Sequence, residues 1–118
     1  MQTVKVTLNV EIDSQQVEGY PIIKQLSVDE LQAFNYERAT GGGYVVAPVG
    51  ELSTVQFLLL RPSQAVTIRL NGQSDAGIVL AANGVLLIAG ATIDTTTLVS
   101  VSNASGSTAI IKGIGAGT

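Results

Sequence analysis

The sequence contains no cysteine, no histidine and no tryptophan, and these absences exclude several kinds of chemistry. Without cysteine the chain can form no disulfide, no thiolate metal site and no thiol nucleophile. Without histidine it lacks the side chain that most often serves as a general base or binds a transition metal. We therefore expect no catalytic, cofactor-binding or metal-ligating residues and no cofactor, and we predict that the protein is not an enzyme.

Charged residues are also scarce. They make up 13% of the 118 residues, whereas the apolar share of 46% is ordinary, and a typical soluble domain is about a quarter charged. The net charge is -3 and the few Lys and Arg residues are dispersed, so no basic face for nucleic acid is predicted. A small domain with so few surface charges tends to associate through its remaining apolar surface, which predicts a homo-oligomer.

No targeting or membrane segment is predicted. The first residues lack a basic region followed by an apolar one, so we expect synthesis in the cytoplasm without a secretory signal. The most hydrophobic stretch, residues 78–91, is interrupted by Asn83-Gly84 and is shorter than the about 20 residues that span a bilayer. This stretch is therefore predicted to be a hairpin, and no membrane partner is expected.

The apolar residues follow the period of β-strands. Val4 to Asp13 alternate between apolar and polar residues, which predicts a first strand with one buried face. Residues 55–60 are almost wholly apolar, which is typical of a central strand covered on both faces. Residues 66–112 contain short runs rich in Val, Ile, Leu and Thr that end at turn residues, and this pattern predicts a β-meander.

Residues 27–38 allow two interpretations. Ser27 to Glu30 has the S-x-x-E form of a helix capping box, which favours one short helix. Phe34 and Tyr36 lie on one face of an extended segment that leads to the glycines at 41–43, which favours a strand. Because the surrounding chain is predicted to be β, we favour extended structure from Phe34 to Arg38.

Many short strands, spaced about 8–12 residues apart, indicate an all-β fold. We predict a jelly-roll-like β-sandwich, with an immunoglobulin-like sandwich as the alternative and at most one short helix. The domain is expected to comprise residues 1–112. Residues 113–118 contain three glycines and are predicted to be a flexible Gly-rich tail.

Several short motifs invite a functional interpretation, and a simpler one is preferred for each. The glycines at 41–43 lack the following Lys and Ser or Thr of a phosphate-binding loop and fit a hairpin tip. The polar residues at 71–75 have one carboxylate, too few for calcium, and fit a turn. Asn103-Ala104-Ser105 matches the N-glycosylation pattern by chance if the chain is not secreted. No two carboxylates are spaced for acid-base catalysis; those considered are Asp29, Glu30, Glu37, Glu51 and Asp94.

The best candidate binding patch is aromatic. Phe34, Tyr36 and Tyr44 are three of the five aromatic side chains and fall close together in the sequence. A stacking platform for sugars or bases needs exposed aromatic rings, and the chain has few to offer. Packing in the core is therefore the preferred role for these three residues.

The C-terminal half contains a recognisable series of motifs: an apolar strand before residue 61, the segment VTIRLNG at 66–72, an apolar hairpin ending in GVLLI at 84–88, and the turn NASGS at 103–107 before a Gly-rich end. In this order the motifs resemble those of small virion structural proteins of tailed bacteriophages. It implies a capsid decoration protein or a protein of the neck or tail. The implied location is the virion, and the implied partners are other virion structural proteins, such as major capsid, neck or tail proteins.

The expected function is thus that of a structural component of the virion. A capsid decoration, cement or head-completion protein that self-associates is the preferred form of this expectation. The composition agrees with this expectation, because virion proteins bury apolar surface between many copies in symmetric assemblies. The alternative is a host-surface or glycan-binding module of a phage tail or fibre. The scarcity of aromatic residues disfavours that alternative.

Overall fold

A computed structural model describes residues 1–41, 45–46, 52, 54–70, 76–94 and 99–118. These residues contain β-strands and no helix, which confirms the all-β prediction. None of them belongs to a helix that is long and apolar enough to cross a membrane. In chain order the strands are β1 (Gln2–Leu8), β2 (Glu11–Ile12), β3 (Gln15–Gln16), β4 (Ile22–Val28), β5 (Glu30–Arg38), β6 (Val45–Val46), β7 (Thr54–Pro62), β8 (Val66–Arg69), β9 (Ile78–Leu80), β10 (Leu86–Asp94), β11 (Ser100–Ser102) and β12 (Ala109–Gly117).

Eight of these strands form two antiparallel four-stranded sheets. The central sheet has the order β10-β7-β12-β5, and the facing sheet has the order β6-β11-β8-β9. In them β5 pairs with β12, β6 with β11, β7 with β10 and β8 with β9. The pairs are therefore nested like the two arms of one long hairpin, and the described strands form no closed barrel.

The main core combines side chains from both four-stranded sheets. Leu58, Leu60 and Ile111 come from the central sheet, Ile68 and Val101 come from the facing sheet, and all five have an exposed fraction of 0%. Each fully buried aliphatic side chain contributes about 1.5–3 kcal/mol relative to an exposed one. This core therefore joins the two sheets and fixes which face of each strand points inward.

A second, smaller core lies on the other face of the central sheet. There β1 and β4 form a separate two-stranded antiparallel sheet, which we call the N-terminal ribbon. Val28 of the ribbon packs with Phe57 and Ala116 of the central sheet. The apolar run at 55–60 therefore serves both cores, as predicted for a central strand covered on both faces.

A β-bulge explains how two apolar residues of β7, Val55 and Phe57, point to opposite faces of the central sheet although only Gln56 lies between them. Gly117 lies opposite Val55 and Ala116 lies opposite Phe57, so Gln56 is an extra residue in β7. Without the bulge, Val55 and Phe57 would share a face, because side chains alternate along a strand. With it, Val55 joins the main core and Phe57 joins the smaller core.

The expected flexible tail is instead the second half of a paired strand. Residues 113–117 continue β12, which pairs with β5 on one side and β7 on the other. A Cβ atom on Gly113 would lie 2.1 Å from the Leu59 carbonyl oxygen, and one on Gly117 would lie 1.9 Å from that of Thr54. The glycines therefore permit close packing of neighbouring backbones, so the prediction of a loose tail is corrected.

The predicted hairpin at Asn83-Gly84 is also corrected. The turn forms, because the Gly84 N–H donates to the Ala81 oxygen at 2.9 Å and Asn83 has a φ of 62°. However, β9 before the turn pairs with β8, and β10 after it pairs with β7, so the turn connects the two sheets. Among the described strands that follow residue 65, only β8 and β9 are both consecutive in the chain and neighbours in a sheet, so the predicted meander is wrong.

Residues 27–38 adopt the extended alternative. Ser27 and Val28 end β4, and β5 begins at Glu30, so the capping-box sequence starts no helix. The Asp29 N–H donates to the Gly117 oxygen at 2.9 Å. Pairing with β12 thus supplies the backbone hydrogen bonds that a helical turn would otherwise have supplied.

Candidate interaction surface

The N-terminal ribbon has one apolar face, and only part of this face is covered. Opposite residues of an antiparallel pair lie on the same face, so Leu8 and Ile22 point the same way as Val4 and Leu26. Val4 and Leu26 pack against the smaller core, whereas Leu8 and Ile22 keep exposed fractions of 41% and 45%. The ribbon therefore carries its apolar face beyond the part that is packed, and we call Leu8 and Ile22 the apolar overhang.

A groove runs along the overhang between the ribbon and β10. It has a volume of about 290 Å³, and its lining is mostly apolar. Besides the overhang, Leu87 and Ala89 of β10 contribute to it, and Lys24 is its one cationic lining residue. The groove is of a size and polarity to receive apolar side chains of another protein.

The short hairpin of β2 and β3 follows the overhang and is fully exposed from residue 11 to residue 16. Its turn consists of Asp13 and Ser14, which have φ angles of 52° and 64°. Positive φ at both turn residues is the mark of a type I′ turn, which matches the twist of a two-residue hairpin. The hairpin carries Glu11, Asp13 and the exposed Ile12, so its tip is acidic and apolar.

The N-terminal ribbon covers only part of one face of the central sheet. On the uncovered part of this face, two cations lie side by side. Lys112 of β12 lies directly opposite Arg61 of β7, and both are exposed. Neither makes an ion pair with a residue that the structure describes. Like charges directly opposite each other in a sheet are destabilising, so this basic pair costs stability in the isolated chain.

Two shallow grooves adjoin the basic pair. One has a volume of about 240 Å³ and is lined by Ser63, Asn83 and Ile110 together with the pair. The other has a volume of about 320 Å³ and is lined by Phe34, Asn35 and Ile114 together with the pair. The cations are therefore flanked by apolar side chains as well as by uncharged polar ones.

Asn103, in the predicted glycosylation motif, has a structural role. Its exposed fraction is 1%, and its Nδ2 atom donates to the Arg38 and Ser107 carbonyl oxygens at 2.8 Å each. Its Oδ1 atom accepts from the Ser105 N–H at 3.0 Å. The nitrogen to which a glycan would be attached is thus already bonded and buried, which supports the interpretation of a chance match.

The described part of the predicted aromatic patch lies mostly in the core. Phe34 has an exposed fraction of 8%, and its ring centroid lies 6.1 Å from that of Tyr36. Burial raises the pKa of Tyr36 to about 12, and the nearby Arg38 charge partly opposes this rise. Tyr44 lies outside the described residues, so core packing is found for Phe34 and, in part, for Tyr36.

The other sequence motifs yield no site in the part of the chain that the structure describes. Gly41 has a φ of 78°, as a turn requires, but residues 42–43 and the whole of 71–75 lie outside the described residues. The same holds for Glu51 and for the Asp94 side chain. Within the described ranges, no three carboxylates are close enough together to hold a metal ion.

The basic pair was not anticipated from the sequence. Arg61 and Lys112 lie far apart in the chain, and β12 brings them together only because it pairs with β7. A local signal exists for each residue alone, since each is a charge within a largely apolar strand. Their proximity depends on strand order, which the sequence pattern did not give.

Comparison of the chain with protein-family models, with curated proteins and with solved structures finds no match.

Proposed function

We propose that this chain is a structural component of a tailed bacteriophage virion, either a capsid decoration (cement) protein or a head-completion protein. In this role it associates with itself and with other virion proteins, such as the major capsid, neck or tail proteins. The observation that carries the proposal is the apolar overhang. Leu8 and Ile22 lie on the packed face of the ribbon yet remain 41% and 45% exposed, and a protein partner is the natural cover for such a surface.

The scarcity of charge supports the same proposal. With 13% charged residues, the chain has little charge repulsion to prevent copies from associating. The exposed apolar side chains extend beyond the overhang to Ile12, Ile23 and Val79, whose exposed fractions are 65%, 58% and 77%. Burial of apolar area stabilises an assembly by about 25 cal/mol per Å² before the costs of association are subtracted.

We also infer that the two four-stranded sheets form a jelly roll. If β5 to β12 are counted as strands one to eight, the first pairs with the eighth, the second with the seventh, the third with the sixth and the fourth with the fifth. Wrapping one long hairpin of this kind produces the two sheets of a jelly roll. An immunoglobulin-like sandwich pairs its first two strands with each other, whereas β5 and β6 belong to different sheets here.

The inferred fold is compatible with the proposed function but does not assign it. Jelly rolls occur in virus capsid proteins and also in lectins. Function depends on the site rather than the fold, so the choice between the two rests on the surface. A glycan site usually offers exposed aromatic rings, and Phe34 is buried, so the described surface favours protein partners over the glycan-binding alternative.

The direct test is the composition of purified virus particles from the infection that expresses this chain. A virion component is present in a fixed number of copies per particle, and deletion of its gene yields particles that lack it and are less stable or incomplete. Quantitative mass spectrometry and electron microscopy measure both properties. Absence of the protein from intact particles would reject the proposal, and a glycan array would then test the alternative.

A further inference from the structure

We propose that the tip of the β2–β3 hairpin in one copy of the chain docks onto the basic pair, Arg61 and Lys112, of a second copy. The contact is head-to-tail, because it joins two different patches of the same molecule. It deepens the proposed function and rests on the self-association that this function includes. The main argument that a second copy of the chain binds at the basic pair is charge complementarity between two described surfaces.

The hairpin is the acidic side of the contact. Glu11, Asp13 and Glu18 fall within eight consecutive residues that contain neither Lys nor Arg, although the whole chain has only nine acidic residues. The type I′ turn fixes the backbone that carries Asp13, so little backbone conformational entropy is lost when the tip binds. The hairpin thus presents a preformed negative tip.

The basic pair is the complementary side. Two of the six cations of the chain lie directly opposite each other, with no ion pair to any described residue. One carboxylate on this face of the sheet is Glu37, which lies opposite Ile110 and diagonal to Lys112. The local charge therefore stays positive, and a carboxylate placed between Arg61 and Lys112 would relieve their repulsion.

Apolar contacts match on the two sides as well. Ile12, next to Asp13, has an exposed fraction of 65%, and Ile110, beside the basic pair, has one of 41%. The grooves next to the pair, of about 240 and 320 Å³, have room for a side chain of this size. With Asp13 between the two cations, Ile12 can enter one groove and cover Ile110.

A head-to-tail contact of this kind repeats from copy to copy. It gives a closed ring if the rotation between copies closes, and a filament if it does not. Closed rings are the assemblies that fit symmetric positions on a virus particle. We therefore expect a discrete ring-shaped oligomer in solution.

Charge reversal on each side tests the proposal, with association measured by light scattering over a concentration series. Lys112→Glu, and separately Glu11→Lys with Asp13→Lys, are each expected to raise the dissociation constant by about tenfold or more. Combining all three substitutions in one chain places the reversed tip against the carboxylate introduced by Lys112→Glu, while Arg61 keeps its positive charge, so the constant should return part of the way to the original. Added salt should weaken the original association.

Lys5→Glu is the matched control, because it makes the same charge change on the outer face of the ribbon. It should leave the dissociation constant unchanged. Circular dichroism and thermal unfolding check that each variant is folded; Lys112→Glu removes a like-charge contact and should not lower the melting temperature. Because the chain has no cysteine, copies with Ser14→Cys can also be mixed with copies with Asn35→Cys, and a short bis-maleimide should link the two.

Three outcomes would overturn the proposal: a strictly monomeric original protein, reversals no more harmful than the Lys5→Glu control, or no recovery in the combined variant. Absence of the cross-link would count against it in the same way. These outcomes are distinct from failure of the proposed function. If virus particles lack the protein, the proposed function is rejected, but a contact measured in solution still stands. If the charge reversals leave the oligomer unaffected, the contact is rejected, but the proposed function still stands.

Discussion

The N-terminal ribbon is more exposed than its sequence predicts, and β12 is more buried than its sequence predicts. From Val4 to Asp13, apolar and polar residues alternate without exception, yet Leu8 and Ile12 of the apolar set are exposed. In β12 the second half is rich in glycine, yet Gly115, Ala116 and Gly117 are all buried. Burial is therefore decided by what lies beside a strand, and a regular apolar pattern guarantees only that a face could be buried.

Substitution of a β12 glycine is the strongest test of the close packing of β12. In Gly113→Ala the new Cβ would lie 2.1 Å from the Leu59 oxygen and 2.6 Å from Cζ of Phe34. Both neighbours are held in the sheet or in the core, so we expect a loss of about 4 kcal/mol or more, or failure to fold. Urea unfolding of the purified variant measures this loss.

Gly106→Ala is the control for that substitution. Gly106 has a φ of 88° but no atom within 4 Å of its added Cβ, so only backbone strain of about 1–2 kcal/mol is expected. Equal costs for the two variants would mean that β12 is not held between β5 and β7 as described.

The next prediction compares equal truncations in the two regions. Leu60→Ala removes a side chain with an exposed fraction of 0%, and it should cost about 2–5 kcal/mol. Leu8→Ala removes an overhang side chain that is 41% exposed, and it should cost less than about 0.5 kcal/mol in the monomer. Urea unfolding at low protein concentration measures both, and similar costs would contradict the division into core and overhang.

A smaller effect is expected from the buried amide that supports β5 and β12. Asn103→Ala leaves the Arg38 and Ser107 oxygens without their donor, which should cost about 1–3 kcal/mol. Asn35→Ala, on the exposed face of β5, serves as the control and should stay within about 0.5 kcal/mol. Thermal unfolding of both variants distinguishes the two, and an unaffected Asn103 variant would argue against the described hydrogen bonds.

The smallest effect at neutral pH is expected for Tyr36→Phe. The Tyr36 hydroxyl is buried and has no hydrogen-bond partner among the described residues, so its removal should leave stability unchanged or raise it by up to about 1 kcal/mol. The folded-state pKa is raised from 10.0 to about 12, so the fold favours the neutral phenol. The resulting stability is present below pH 10 and is lost as the pH rises through about 12.

Urea unfolding between pH 9 and about 12 measures this dependence. The slope should be shallower in Tyr36→Phe than in the original protein, because the titrating group has been removed. Tyr20→Phe, which removes a different phenol from the chain, is measured beside it as the comparison. Identical slopes in all three proteins would mean that Tyr36 is not buried as described.

Local patterns predicted most strands but not their partners. The apolar run at 55–60 indicated a central strand because both of its faces needed cover, and β7 has cover on both faces. Asn83-Gly84 indicated a turn because its backbone preference is local. The turn does not decide the partners of β9 and β10, which pair with β8 and β7. The Asn83 N–H donates to the Pro62 carbonyl oxygen at 2.8 Å, so the turn is bonded to the end of β7.

The candidate interaction surface could be predicted from local sequence patterns even less well than the strand partners. The sparse charge predicts association, and association stays a prediction. The basic pair requires the register of β7 against β12, and the overhang requires the point at which the smaller core ends. Both are properties of strands packed together, and composition contains no information on either.

The place of β12 between β5 and β7 also sets an order on folding during translation. β5 and β7 share no ladder with each other, and β12 pairs with β5 residues that were synthesised about 70 to 90 positions earlier. Until β12 has been synthesised and has left the ribosomal exit tunnel, the two earlier strands expose unpaired edges that can pair with other nascent chains. A chaperone that shields these edges should therefore raise the yield of native protein.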